Sequence, residues 1–95
     1  MEPTLTELFI TFHQDPGHGW IAITKAELVE LNILDEISNY SYQSRDGIVA
    51  YLEEDLDAGT YISAVKQLHP DLAINFIDSH SNGDSFIRSL PQITH

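Results

Sequence analysis

The sequence predicts a small α+β domain: an antiparallel sheet of four to five strands in ββα-ββα-β order, with two or three helices packed on one face. Three observations lead there. Strand-like apolar runs recur at residues 5–13, 48–52 and 72–77. The turn-forming segments Asp15-Pro16-Gly17-His18 and Arg45-Asp46-Gly47 each separate two strand-like runs. Apolar residues then fall at helical spacing after each hairpin.

The elements follow in order. In residues 5–13, Leu8, Ile10 and Phe12 alternate with Glu7, Phe9 and Thr11, which predicts a half-buried strand. Pro16 and Gly17 suit the second and third positions of a type II turn, and residues 20–23 return as the second strand. Thr24 and Glu27 match a capping box that opens a short helix ending near Asn32, with Leu28 and Leu31 on its apolar face. One further turn is expected at residues 35–38. Residues 39–43 suit a strand with Tyr40 and Tyr42 on one face, paired through Arg45-Asp46-Gly47 with a strand at 48–52. Ala58, Tyr61, Ile62, Val65 and Leu68 predict a second helix over 58–68, stopped by Pro70. Residues 72–77 read as an edge strand, 79–83 as a polar loop, and 85–90 as a last short helix capped by Asp84 and stopped by Pro91.

The 95 residues fit one domain, 1–95, and 42% hydrophobic composition suffices for one core. With no cysteine, the chain has neither disulfides nor a thiolate metal site. Residues 1–20 lack a basic start followed by an apolar run, so no signal peptide is expected. No stretch reaches the roughly 18 apolar residues of a membrane span. These features together predict a cytoplasmic protein of the host cell.

Charge is the extreme feature: fifteen Asp and Glu against four Lys and Arg, a formal −11. The cations Lys25, Arg45, Lys66 and Arg88 are scattered, which disfavours direct binding to nucleic acid or an anionic membrane. A basic protein partner is favoured, because long-range attraction raises the encounter rate. A plain solubilising role for the acids stands beside that reading.

The densest acids, Glu53, Glu54, Asp55 and Asp57, precede the second helix. Asp57 can cap its first turn and the others favour the positive end of its dipole. One or two suffice for that, so the cluster is expected to face a partner's Arg and Lys, helped by Asp46, Glu27 and Glu30. Tyr40, Tyr42, Tyr51 and Trp20 read as core or sheet-face residues, or as binding hot spots if exposed beside acids.

A second reading places a metal-dependent or acid/base enzyme at His13, Asp15 and His18, with further ligands from His69, Asp78 or His80. No metalloprotease helix motif, calcium loop, phosphate loop or G-x-S-x-G elbow is present. No cofactor is implied. A third reading is a structural accessory protein, monomeric or paired as a homodimer through the second hairpin.

Asp15-Pro16-Gly17-His18-Gly19-Trp20, the strand Asn39-Tyr40-Ser41-Tyr42, and Tyr51-Leu52-Glu53-Glu54-Asp55-Leu56-Asp57-Ala58 together resemble small acidic proteins of phages and other mobile elements. The resemblance spans roughly residues 10–62 and carries no assigned reaction. In composition the chain also resembles anti-CRISPR and anti-restriction inhibitors, some of which imitate the charge of DNA. The resemblance implies origin more than activity; the charge and the missing catalytic motifs lead to the expectation of an inhibitor that covers the nucleic-acid-binding surface of a host protein, and not of an enzyme.

Overall fold

The computed structural model describes residues 6–95; Leu5, the expected start of the first strand, lies outside them. The elements are β1 (Glu7–Gln14), β2 (Gly19–Thr24), α1 (Lys25–Glu30), β3 (Tyr42–Gln43), β4 (Val49–Glu53), α2 (Asp57–Leu68) and β5 (Ala73–His80), with 3-10 turns at Leu34–Glu36 and Phe86–Ser89. Among the described residues the fold is α+β, with one five-stranded sheet in the order β3-β4-β2-β1-β5 and two α-helices.

The sheet is mixed, which corrects the antiparallel expectation. β1, β2, β4 and β3 pair antiparallel, whereas β5 runs parallel to β1, from Glu7 opposite Ala73 to Gln14 opposite His80. The cause is the connection. α2 carries the chain back from the end of β4, so the next strand starts at the end from which β4 started.

Residue alternation assigns the two sheet faces. Ile21 lies opposite Phe12 and Leu52, and Ile23 opposite Ala50, so these side chains share one face. Leu28 of α1 and Ala58, Tyr61 and Val65 of α2 pack on that face with Ile10, Ile21, Ile23 and Leu52. Each such fully buried aliphatic side chain contributes on the order of 1.5–3 kcal/mol. The opposite face carries His13, Trp20 and Tyr51.

α1 starts as expected at Thr24, whose hydroxyl accepts from the Glu27 amide at 3.3 Å. The Glu27 carboxylate does not complete the box; it turns to accept from the Tyr61 hydroxyl. α1 ends where Asn32 adopts φ 59°, with Asn32 N–H donating to Val29 and Ile33 N–H to Leu28, each at 3.0 Å. That is a Schellman ending, and Asn tolerates the left-handed conformation better than most residues.

The first hairpin turn is not type II, because Gly17 is not in the positive-φ region; Gly47 is, at 76°. The Asp15 side chain supplies the turn instead, accepting from the amides of Gly17 and His18 at 3.0 and 2.9 Å. The strand expected over 39–43 is confined to Tyr42–Gln43, and Tyr40 precedes it in a turn.

The last helix expected at 85–90 is a 3-10 turn, and it lies on the face opposite α1 and α2. Phe86 packs edge-on against His13 and Tyr51, at 5.5 and 5.7 Å between ring centres. Ile87 is fully buried. The chain then reaches the outer edge of β3, where Gln43 N–H donates to Pro91, Ile93 N–H donates to Ser41, and Tyr42 bridges Gln92. Residues 81–93 thus form a strap from the β5 edge to the β3 edge.

Candidate aromatic and acidic cleft

The strap and the open ends of β2 and β4 enclose a cleft of about 430 Å³. Trp20 lies within it, flanked by His18, Tyr40 and Tyr42, with Glu53 and Asp55 among its acidic lining residues. Trp20 is directly opposite Glu53 in the β2–β4 ladder, so the indole and the carboxylate leave the sheet on the same face. Tyr42 meets Trp20 edge-on at 6.2 Å, and His18 lies 6.0 Å from it. Tyr40 is 73% exposed, whereas Trp20 is 2% exposed. The indole Nε1–H of Trp20 is buried and has no hydrogen-bond acceptor. A buried donor without a partner costs about 1–3 kcal/mol.

Arg88 also lines the cleft, its guanidinium 5.7 Å from the Trp20 ring centre. It donates from Nε to Asp15 Oδ2 at 2.6 Å and from Nη2 to Asp15 Oδ1 at 2.9 Å. Asp15 accepts in addition from Gly17, His18 and Ser85 amides, the last at 2.9 Å. The Arg88 bond, then the three amides, hold the Asp15 carboxyl far below the usual range, against the opposing effect of burial. The pair fixes the hairpin turn to the strap.

The seven acids expected to form one recognition surface are dispersed. Glu53 and Asp55 line the cleft. Glu54 lines a different pocket, with Phe12, Ala58 and Phe76 on the helical side. Asp46 sits at the other end of β4, accepting from Ser44 Oγ at 2.5 Å and the Ile48 amide at 3.0 Å. Glu27 and Glu30 border a third pocket between α1 and α2.

Asp57 must be removed from any outward-facing set, for it is 0% exposed. It does not cap α2 either: the N-cap position is Leu56, with no side-chain hydrogen bond. Its carboxylate accepts from the Ser38 amide at 3.0 Å, Ser38 Oγ at 2.6 Å and Ser41 Oγ at 2.5 Å. Ser41 Oγ accepts in turn from the Glu53 amide at 3.0 Å. A buried carboxylate therefore ties the start of α2 to the segment before β3 and to the end of β4. Only the outcome of folding distinguishes it from a cap, because Ser38 and Ser41 lie 19 and 16 residues away.

The alternative site at His13, Asp15 and His18 loses its carboxylate to Arg88 and the turn amides. His13 packs against Tyr51 and Phe86, and burial lowers its pKa. Among the described residues, no group of three His, Asp or Glu is placed to hold a metal ion. The second hairpin is not a free dimer edge, since the strap occupies the outer side of β3. No helix is long and apolar enough to cross a membrane among the described residues.

Sequence reasoning missed Arg88, a lone cation in a segment without periodicity. The one available signal was Asp15, whose place before Pro-Gly marks a turn-forming carboxylate. Comparison with family models, curated proteins and solved structures finds no match to this chain.

Proposed function

We propose that this protein is a non-catalytic inhibitor of the phage type that docks onto the basic, nucleic-acid-binding surface of a host protein. The observation that carries this reading is unneutralised negative charge. Arg88 pairs with Asp15 and, at 3.9 Å, with Asp84; there is no other ion pair among the described residues. Lys25 Nζ donates to the side chains of Gln43 and Thr94, and Arg45 donates to the Ser89 carbonyl. The surplus carboxylates thus face outward largely uncompensated, and a cationic partner would supply the missing charge.

The cleft focuses that charge. Glu53 and Asp55 stand beside exposed Tyr40 and half-buried Tyr42, the combination of anchor and charge that interface hot spots use. The docking surface is therefore centred on Glu53 and Asp55, with Glu54 on the other face of the sheet and Asp57 excluded. An anti-CRISPR or anti-restriction role is a specific form of this proposal.

The test is charge reversal. Glu53→Lys with Asp55→Lys should abolish capture of a basic host protein at low salt while leaving the circular dichroism spectrum and thermal midpoint near those of the unaltered protein. Capture that persists in the folded double variant would refute the assignment.

A further inference from the structure

We infer that the Trp20 cleft seats one arginine side chain of the partner, with the adjoining backbone carbonyl accepting from the Trp20 indole; this inference rests on the docking reading above. Two independent features of the cleft ask for different parts of one ligand. Glu53 and Asp55 ask for a cation. Trp20, which lines the same cleft, has a buried Nε1–H without an acceptor, and a neutral carbonyl that reached it would satisfy it. A free amine or metal ion satisfies the first and not the second. A peptide residue with a cationic side chain satisfies both.

The aromatic lining favours guanidinium over ammonium. A planar guanidinium stacks on a tyrosine ring and meets two carboxylate oxygens through its forked donors, whereas an ammonium is a compact, strongly hydrated charge. Tyr40, largely exposed, and Tyr42 provide the rings. Arg88 does not block a second guanidinium, because both oxygens of Asp15 already neutralise it. A volume of about 430 Å³ leaves room for the side chain and its peptide carbonyl.

Trp20 is the sole tryptophan, so its fluorescence and its indole N–H resonance report on this cleft alone. The probe is the capped tripeptide acetyl-Gly-Arg-Gly-amide, titrated to tens of millimolar because one side chain gives dissociation constants on the order of millimolar. The expected result is a saturable shift of the Trp20 indole resonance. The matching citrulline peptide, equal in size and uncharged, should produce none, and the lysine peptide should bind more weakly. Glu53→Gln with Asp55→Asn should weaken the arginine peptide by roughly tenfold or more. No indole shift with the arginine peptide, or an equal shift with citrulline, would overturn the inference.

Poly-arginine separates this inference from the docking reading. If poly-arginine binds the unaltered protein clearly more tightly than the double amide variant, while the tripeptide leaves Trp20 unmoved, acidic docking stands and the arginine cleft falls. If poly-arginine fails to bind at low salt, the docking reading falls, and a saturable indole shift would then have to be read as a small-ligand site, which also contradicts the inference as stated.

Discussion

Arg88 and Asp15, 73 residues apart in the chain, meet through two bonds of 2.6 and 2.9 Å that lock the first hairpin turn to the strap. The pair makes stability dependent on acid. Asp15 is held below its ordinary value of 3.8 first by Arg88 and then by the Ser85, His18 and Gly17 amides. Its contribution is fully present above 3.8 and is lost as pH falls toward the depressed folded value, because the unfolded chain then binds the proton more readily. His13, lowered by burial from 6.5, acts in the same direction at higher pH. Thermal midpoints should therefore fall in two stages, one below pH 6.5 and one below pH 3.8. Asp15→Asn should lower the midpoint at neutral pH and flatten the second stage while leaving the first. An unaltered acid limb in Asp15→Asn would disprove the assignment.

Tyr61 governs the alkaline side. Burial, followed by the hydrogen bond and the negative charge of Glu27, raises its phenol well above 10. Stability is then present below pH 10 and declines as pH rises further, since the unfolded chain loses the phenolic proton first. Of the four tyrosines, Tyr61 should ionise last in ultraviolet titration, and only as the fold opens. Tyr61→Phe should cost about 1 kcal/mol at neutral pH and remove that late step.

Ser41→Ala probes the buried carboxylate. It takes one donor from Asp57 and one acceptor from the Glu53 amide, and should cost roughly 1–3 kcal/mol in urea denaturation. Asp57→Lys should fail to fold, whereas Glu53→Lys should fold. Equal folding of the two lysine variants would show that Asp57 is not enclosed.

Gly19 is required by close approach. A Cβ built there would lie 2.6 Å from the Phe12 ring and 2.9 Å from a Glu54 oxygen. The glutamate tip can move, but the ring is packed beneath the sheet. Gly19→Ala should therefore cost about 1–3 kcal/mol. Gly83→Ala, with open space around it, is the control and should be close to neutral.

The strap is tested by its one fully buried side chain. Ile87→Ala should destabilise by about 2–5 kcal/mol if the second face is a packed layer. A loss below half a kilocalorie, on the scale of roughly neutral surface changes, would reduce the strap to a surface loop.

What the sequence made legible was local. Both hairpin turns and the apolar stripe of α2 announce themselves through turn chemistry and spacing. The direction of β5 does not, because Leu72, Ile74 and Phe76 alternate identically in a parallel or an antiparallel strand; the preceding crossover decides it. Asp57 misled for a similar reason. An acid at a helix start reads as a cap or an outward charge, and only the distant serines Ser38 and Ser41 reveal that it points inward. At the cleft, Trp20 and Tyr42 read from the sequence as core or sheet-face residues, and their union with Glu53 depends on strand register. The expectation that the acids share one face failed at Asp46, which β4 separates from Glu53 by the length of the strand.

β1 lies between its early partner β2 and its late partner β5, and the strap that closes the second face reaches β3 only at residues 91–93. During synthesis the first hairpin therefore emerges with one side of β1 unpaired and Trp20 uncovered. Residues through 80 must leave the ribosome before β1 is paired on both sides, and residues through 93 before the strap is closed. Pairings between such distant segments slow the search for the native state, so this domain should fold late and more slowly than helical proteins of its size.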